Sequence, residues 1–356
     1  MADGARDGLM ARGGDQVRHG GILAPAPRCH HPDLAGFARL PCAAICLAGA
    51  MSHKSLDATA ILLMLVLCAS WGAQQIAVKL ALPEMAPVAQ AAFRSAVALG
   101  LVGVWTLLRG RQPPLIPAAI VPGIWAGLLF AAEFALLYIA LGLTDAARVV
   151  VFLYTAPFWV ALGSLLVMRS DRLPASRWAG IALAFAGVVL AIGPAETNTS
   201  PTAWIGDLLA LAAGALWGGN TLVVKATPLA RESTERVVLY QLLVSALAMG
   251  AVSLALGEHW SLPTSLPAVL SVAYQCVWVA TVTLLGWFGL VARYSATRLS
   301  VFTFLTPLIG AGLGWALLGE SLSPLFLAAL GLVAAGIVLV SWPSSAAPQR
   351  SRLGAG

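Results

Sequence analysis

Long apolar stretches separated by short polar breaks fill most of the sequence after residue 57. A membrane-spanning helix needs about 20 mostly apolar residues, and ten segments reach that length. Transmembrane strands are about half as long and alternate with a period of two, which these segments do not. The sequence therefore predicts an all-α polytopic membrane protein with ten transmembrane helices. The predicted spans, numbered 1 to 10 in chain order, are 58–80, 86–108, 118–141, 145–168, 175–193, 203–224, 237–257, 266–290, 297–318 and 322–342.

The composition excludes several other classes of protein. Charged residues make up 10% of the chain and hydrophobic residues 59%, whereas a soluble domain carries about 25% charged residues. A cytosolic enzyme, a disordered chain, a coiled coil and a nucleic-acid-binding module are therefore excluded, and we expect no nucleic-acid partner. The five cysteines show no metal-ligand or redox spacing, so we expect no metal site and no cofactor.

The distribution of Lys and Arg predicts the orientation in the membrane. Cytoplasmic loops of membrane proteins carry an excess of these residues. The loops after spans 2, 4, 6 and 8 are basic, and those after spans 1, 3, 5, 7 and 9 are nearly free of basic residues. We therefore expect both termini to face the cytoplasm. The basic residues are Arg109, Arg111, Arg169, Arg172, Arg177, Arg231, Arg236, Arg293 and Arg298.

Two tails flank the predicted spans. Residues 1–57 are polar and lack a helical period, so we expect disorder there. Translation starting at Met51 would remove most of this tail, whereas an apolar run after Arg39 leaves a targeting segment as the alternative. Residues 343–356 are expected to form a cytoplasmic C-terminal tail.

The chain contains an internal repeat. Landmarks of residues 58–193 recur in order in residues 203–342, at offsets of 146 to 150 residues. Each repeat holds five spans, and because five is odd the second repeat enters the membrane inverted. Inverted repeats are common in secondary transporters, with the substrate site near the bilayer midplane between the repeats. The landmark pairs are Trp71-Gly72 with Trp217-Gly218, Lys79 with Lys225, Arg148 with Arg298, Phe152 with Phe302, and Pro157 with Pro307.

Several of these landmarks resemble those of a known family. The landmarks concerned are Trp-Gly followed by Lys in spans 1 and 6, Arg94 in span 2, the run from Arg148 to Pro157, and Gly319-Glu320 after span 9. Together they resemble the EamA type of the drug/metabolite transporter superfamily. The resemblance implies ten helices in two inverted five-helix repeats, in the inner membrane of a bacterium. It also implies the export of small metabolites, amino acids among them. The acid of this family after span 4 is matched only loosely, by Asp171.

Two residues of opposite charge lie at similar predicted depths in spans 2 and 3. Glu133 is the only acidic residue deep within the spans, and Arg94 is its natural partner. At 1.5 Å per residue, both lie roughly 12 Å below the outer edge. An intramembrane carboxylate is a functional candidate by default. Two interpretations remain open: a structural ion pair, or a substrate and proton site. The second repeat has Tyr240 and Thr283 at these two positions.

Polar and aromatic residues at helical spacing in spans 1, 3, 6 and 8 complete the predicted pathway. Such faces turn to a cavity or to another helix, because lipid cannot satisfy them. Packing between helices, with Trp and Lys as interfacial anchors, is the alternative for all of them. Kinks are predicted at Pro157 and Pro307. The predicted substrate-binding residues are Trp71, Gln75, Arg94, Glu133, Tyr138, Trp217, Asn220, Gln275 and Trp278.

These features favour a secondary transporter for a small molecule, embedded in a lipid bilayer. An intramembrane enzyme and a membrane receptor or scaffold are the alternatives, but no predicted span contains a histidine, and no nucleotide-binding loop is present. The expected driving force is an ion gradient, with protons as one candidate, or the substrate gradient itself. Small residues in spans 5 and 10 predict close helix contact, either within the chain or in a homodimer.

Overall fold

The computed structural model describes residues 57–110, 113–167, 175–192, 201–294, 302–303 and 305–341. All the secondary-structure elements assigned over these residues are helices. The predictions for both tails, for Asp171 and for the recurrence at Arg298 fall outside the described residues.

The first half of the described chain folds into six helices. A 3₁₀ turn, Pro117–Ala119, precedes the third of them. The helices are α1 Ala58–Ala81, α2 Pro87–Arg109, α3 Ile120–Leu143, α4 Ala146–Leu153, α5 Ala156–Val167 and α6 Ala175–Ile192.

The second half repeats this order. A short 3₁₀ helix, Pro228–Arg231, follows its first helix, and a π-helical stretch, Tyr274–Thr283, lies between α9 and α10. The helices are α7 Ala203–Ala226, α8 Thr234–Ala255, α9 Leu266–Ala273, α10 Leu284–Arg293, α11 Leu305–Leu318 and α12 Pro324–Ser341. Over the described residues, six segments are long and apolar enough to cross a membrane, and four shorter apolar helices accompany them.

The structure differs from the sequence prediction in span 4. One helix over 145–168 is expected, but α4 ends at Leu153 and α5 begins at Ala156. Thr155 occupies the break, where its hydroxyl donates to the carbonyl of Phe152 over 2.7 Å. Pro157 is the second residue of α5, a position where a missing N–H costs nothing. The chain is thus interrupted before the proline instead of kinked at it. Pro307 similarly follows the start of α11 by two residues.

The second difference lies in span 8, where the π-helical stretch replaces ordinary α-helix. The Thr281 hydroxyl donates to the carbonyl of Cys276, five residues earlier, over 2.9 Å. A π-helix has a wider turn, so it changes which side chains share a face. Such segments are frequent at functional sites.

The two halves of the chain contact each other reciprocally. Helix α1 packs against α11, α9 and the π-helical stretch, which belong to the second half. Helix α7 packs against α3, α4 and α5, the corresponding helices of the first half. Corresponding helices also pair directly, α2 with α8 and α6 with α12. The core lies between the halves, around α4, whose residues are all buried.

Helices α2 and α8 run antiparallel. The Glu258 carboxylate, just after α8, accepts hydrogen bonds from the backbone N–H groups of Val88 and Ala89 at the start of α2, over 3.2 and 2.7 Å. At the other end, Arg109 of α2 lies 3.8 Å from Glu235, in the first turn of α8. Corresponding helices of the two halves therefore point in opposite directions.

The close contact predicted for the small residues of spans 5 and 10 occurs within the chain. Gly187 of α6 faces α12 so closely that an added Cβ would lie 2.8 Å from the backbone nitrogen of Val333 and 2.9 Å from the carbonyl of Ala329. Only glycine allows this approach, so this position serves internal packing.

Candidate functional site

Arg94, on α2, is almost fully buried. Its guanidinium carbon lies 3.8 Å from the centroid of the Phe134 ring and 5.9 Å from that of Tyr138, both on α3. Its Nη1 donates a long hydrogen bond, 3.5 Å, to the Tyr138 hydroxyl. Stacking on an aromatic face suits the flat, delocalised guanidinium cation. Aromatic residues of α3 therefore lie against the charged group that α2 supplies.

A polar network joins this arginine to the second half of the chain. The Tyr138 hydroxyl donates to Gln275 Oε1 over 2.8 Å, and Gln90 Nε2 donates to the same oxygen over 3.5 Å. Gln275 lies in the π-helical stretch, one residue before Cys276. Arg94, Tyr138 and Gln275, three predicted site residues, are thus brought together by α2, α3 and the π-helical stretch.

Several buried polar atoms, those of Arg94, Gln90 and Gln275 among them, lack a hydrogen-bond partner within the part of the chain that the structure describes. More than nine in ten buried polar groups in proteins are normally satisfied, so such atoms need an explanation. They include acceptors and donors, and they come from both halves. The atoms are Gln75 Oε1, Gln90 Oε1, Arg94 Nε, Ser95 Oγ, Glu133 Oε2, Gln275 Nε2 and Thr306 Oγ1. We call these residues the central polar cluster.

A direct ion pair between Glu133 and Arg94 was one of the two interpretations left open by the sequence, and the structure does not show it between these two residues. Among the described residues, no nitrogen–oxygen distance of 4.0 Å or less joins them. Glu133 is 5% exposed and its Oε2 is unpartnered. Each charge therefore remains available to another group.

Trp71 and Trp278 fasten α1 to span 8 from different sides. Trp71 Nε1 donates to Thr283 Oγ1 over 3.0 Å, and its ring contacts Trp287 edge-on at 5.7 Å. Trp278 Nε1 donates to Ser70 Oγ over 2.8 Å, and 39% of this residue is exposed. The described hydrogen bond of Trp278 therefore joins span 8 to α1, and its place among the substrate-binding residues stays a prediction.

Trp217 and Asn220 of α7 make contacts with residues outside the network around Arg94. The Trp217 ring contacts Tyr154 edge-on, with 5.3 Å between ring centroids. Asn220 Oδ1 accepts a hydrogen bond from Gln241 Nε2 over 3.1 Å. No described hydrogen bond joins either residue to the central polar cluster.

Four residues of this region are absent from the sequence-based set: Gln90, Ser95, Phe134 and Thr306. Gln90 precedes Arg94 by one helical turn, so the spacing of four residues was a usable signal. Phe134 precedes Tyr138 by the same interval. Ser95 and Thr306 carry no such signal, since single hydroxyl residues are ordinary in membrane helices.

Two ion pairs tie the halves together near the ends of helices. Lys79 Nζ lies 3.0 Å from Glu320 Oε1, and Glu320 also accepts from the backbone N–H groups of Ala146 and Ala147 over 2.7 and 3.0 Å. Arg148 binds both carboxylate oxygens of Asp207. Glu320 thus neutralises a lysine and caps α4. Lys79, expected as an interfacial anchor, is an ion-pair partner.

Two further acids cap helices of the opposite half. Glu84 follows α1 and accepts from the backbone N–H groups of Thr264 and Ser265, over 2.5 and 3.1 Å, before α9. Glu232 precedes α8 and accepts from Ile116, before α3, over 2.8 Å. Hydrogen bonds from Ser265 and then Thr264 lower the pKa of Glu84 to about 2.

The described helices and buried polar centre define a multi-pass membrane protein of two related halves. The chain matches the EamA-like transporter family over residues 58–193 and 204–342. It belongs to that family, which confirms the resemblance seen in the sequence.

The chain is similar in sequence to named relatives over most of their length. The chain is 29% identical over 289 residues to a probable amino-acid metabolite efflux pump of Salmonella typhimurium, covering 78% of this chain and 93% of that protein. It is 24% identical over 283 residues to an uncharacterized inner membrane transporter of Escherichia coli, covering 76% and 87%. A solved crystal structure with 22% identity matches with a TM-score of 0.57, over 80% of this chain and 96% of that one.

Proposed function

We propose that this chain is a secondary transporter that exports a small metabolite, an amino acid or a related compound, by alternating access. It would have ten transmembrane helices in two inverted five-helix repeats, lie in a bacterial inner membrane and keep both termini in the cytoplasm. The reciprocal packing of the halves and the antiparallel α2 and α8 support the inverted repeat. In such folds the substrate site lies at the repeat interface.

The observation that carries the proposal is the central polar cluster. Its unpartnered atoms lie on α1, α2, α3, the π-helical stretch and α11, which belong to both halves. Leaving polar atoms unpaired in a buried site costs free energy. A polar molecule bound between the halves would satisfy them, and rocking of one half against the other would release it.

The coupling proposal concerns Glu133. The Oε2 atom of its carboxylate is buried and has no partner among the described residues, unlike the acids of the ion pairs Lys79–Glu320 and Arg148–Asp207. A group that exchanges a proton during transport must be free of a permanent partner. We therefore assign Glu133 the role of coupling export to a proton gradient.

An enzyme is the second candidate function, and nothing described favours it. Among the described residues, no group of three or more His, Cys, Asp or Glu is placed to hold a metal. The membrane-embedded acids that are paired serve as ion-pair partners or helix caps.

Counterflow in proteoliposomes tests the proposal. Vesicles containing the full chain and loaded with one metabolite at a time should accumulate the same labelled metabolite against its gradient. A pH gradient should change the rate for the wild type and have no effect on the rate for Glu133→Gln. The absence of counterflow for every amino acid and related metabolite tested would contradict the transporter proposal.

A further inference from the structure

Three hydrogen bonds join the π-helical stretch of span 8 to α1. The Tyr274 hydroxyl donates to the carbonyl of Ser70 over 2.8 Å. Trp278 Nε1 donates to Ser70 Oγ over 2.8 Å, and Thr283 Oγ1 accepts from Trp71 Nε1 over 3.0 Å. Residues at the start, middle and end of the stretch therefore bind two adjacent residues of α1.

The wide turn of the π-helix places these residues on one face. Thr283 follows Tyr274 by nine residues. Nine residues make about 2.5 turns of an α-helix, which would put the two side chains on opposite faces. They make about two turns of a π-helix, whose hydrogen bonds span five residues instead of four. An α-helical span 8 could therefore not hold both of these bonds to α1.

The exposure of the side chains follows the same spacing. Val277 and Val282, five residues apart, are 49% and 44% exposed. Thr281, four residues after Val277, is only 9% exposed. Residues four apart share a face of an α-helix, and residues five apart do not. Rewinding to an α-helix beyond Val277 would thus turn Thr281 toward lipid and Val282 inward.

Two sets of side-chain bonds depend on this wide turn. One is the bond from the Thr281 hydroxyl to the carbonyl of Cys276, and the other is the set of bonds to α1. Helix α1 belongs to the first half of the chain and span 8 to the second, so rocking of the halves would break the second set. The corresponding span of the first half, α3, is α-helical over Ile120–Leu143. Crossing the membrane in this fold therefore does not require a π-helix.

Resting on the proposed alternating access, we propose that the π-helical stretch rewinds to an α-helix when α1 moves away from it during transport. With α9 held in place, the rotation is small at Gln275 and grows to about half a turn at Thr283. Gln275 then keeps its bond from Tyr138, while α10 turns away from α1. The stretch thus converts the movement of the halves into a rotation of α10 and leaves the buried network in place.

Nitroxide labels on the two sides of the stretch test this proposal. Gly289 on α10 and Val269 on α9 are both exposed, and no described atom lies within 4 Å of a Cβ added at Gly289. Each site is labelled in a full chain whose other cysteines are replaced, and collisions with oxygen, which concentrates in lipid, are measured in proteoliposomes. During counterflow of the fastest amino acid, accessibility to oxygen should fall at Gly289 and stay constant at Val269.

A variant shifts the same equilibrium without any added amino acid. Thr281→Val keeps the shape of the side chain but removes its bond to Cys276, so the rewound form should gain about 2- to 10-fold over the π-helical one, the effect of one typical hydrogen bond. Accessibility at Gly289 should therefore fall in this variant. Thr106→Val is the matched control, because that hydroxyl bonds four residues back within α2, and it should change nothing at Gly289.

Two results would overturn the proposal and leave transport standing. The first is unchanged accessibility at Gly289 both during counterflow and in Thr281→Val. The second is an equal fall at Val269, which would show a loosened fold instead of a rotation confined to α10. Absence of counterflow for every metabolite would overturn the transport function, and Thr281→Val would still decide whether the stretch rewinds.

Discussion

At the scale of single residues, a direct ion pair distinguishes charged side chains that stabilise the fold from those that are available to bind another group. Asp207 accepts from Arg148 through both oxygens and from the Thr144 hydroxyl over 3.1 Å. Glu133 has an unpartnered oxygen and no such contacts. The sequence shows both acids in spans but cannot show which is bonded, because bonding depends on how helices far apart in sequence pack together.

The first prediction compares these two acids. Asp207→Asn leaves Arg148 buried without a counter-charge and should destabilise the fold by about 3–5 kcal/mol. Glu133→Gln keeps the shape of a group that is already unpaired, so we expect a change within about 1 kcal/mol. Thermal unfolding of the purified variants in detergent measures the difference. Destabilisation of Glu133→Gln that is reversed by adding Arg94→Gln would instead show a structural pair.

The second prediction concerns the network around Arg94. Tyr138→Phe removes the donor to Gln275 and the hydroxyl beside Arg94 but keeps the ring. Because it leaves a buried amide oxygen with one weak bond, we expect a loss of about 1–3 kcal/mol in stability and slower counterflow. Thermal unfolding and counterflow measure the two effects. Thr106→Val is the control, since its hydroxyl bonds only the preceding turn of α2, and unchanged counterflow by Tyr138→Phe would contradict the network's role.

At the scale of the elements, hydrophobic runs predicted the helices well and their irregularities poorly. Predicted spans 58–80 and 86–108 correspond to Ala58–Ala81 and Pro87–Arg109. Pro157 marked the irregularity in span 4, but the sequence predicted a kink and not the break at Thr155. The π-helical stretch from Tyr274 was missed, because it leaves the apolar pattern of span 8 unchanged. The central polar cluster was predicted only in part, because single hydroxyl residues such as Ser95 and Thr306 are ordinary in membrane helices.

The third prediction tests the contact between α6 and α12. Gly187→Ala places a Cβ against the backbone of α12 and should destabilise by about 1–3 kcal/mol. Gly331→Ala on α12 is the matched control, because no described atom lies within 4 Å of its added Cβ. Its higher helix propensity should make it neutral or stabilising by up to about 1 kcal/mol. Equal effects of the two changes on thermal unfolding would contradict this packing.

The fourth prediction follows from the lowered pKa of Glu84. Its ordinary pKa is 4.5, and hydrogen bonds from Ser265 and Thr264 lower it to about 2. A lowered pKa in the folded state contributes stability above the ordinary value and loses it as the pH falls through the lowered one. The thermal midpoint of the wild type should therefore exceed that of Glu84→Gln by a constant amount above pH 4.5. This difference should shrink between pH 4.5 and 2, and a difference independent of pH would contradict the role of the charge.

At the scale of the whole molecule, the contacts between helix ends form two groups. In the first group, an ion pair and hydrogen bonds join residues at one end of the helices, either to one another or to the starts of neighbouring helices. The residues of this group are Lys79, Glu84, Ala146, Glu258 and Glu320. The second group links the residues around Ile116 with Glu232, and Arg109 with Glu235. Two related halves that run in opposite directions produce these two groups of contacts, because each half contributes helix ends to both groups.

The last prediction places these two groups on opposite sides of the membrane. Reporter fusions at Pro113 and Glu232 should be active in the cytoplasm, because the basic Arg109, Arg231 and Arg236 lie in this group. Fusions at Glu84 and Glu258 should lie in the periplasm. A phosphatase reporter, which is active only after export, should therefore be active at these two sites. A fluorescent protein, which does not need export, should be active at Pro113 and Glu232. Because the contacts alone fix which ends share a side, opposite results at Glu84 and Glu258 would contradict the fold. A joint reversal of all four sites would keep the fold and overturn the orientation derived from the basic loops.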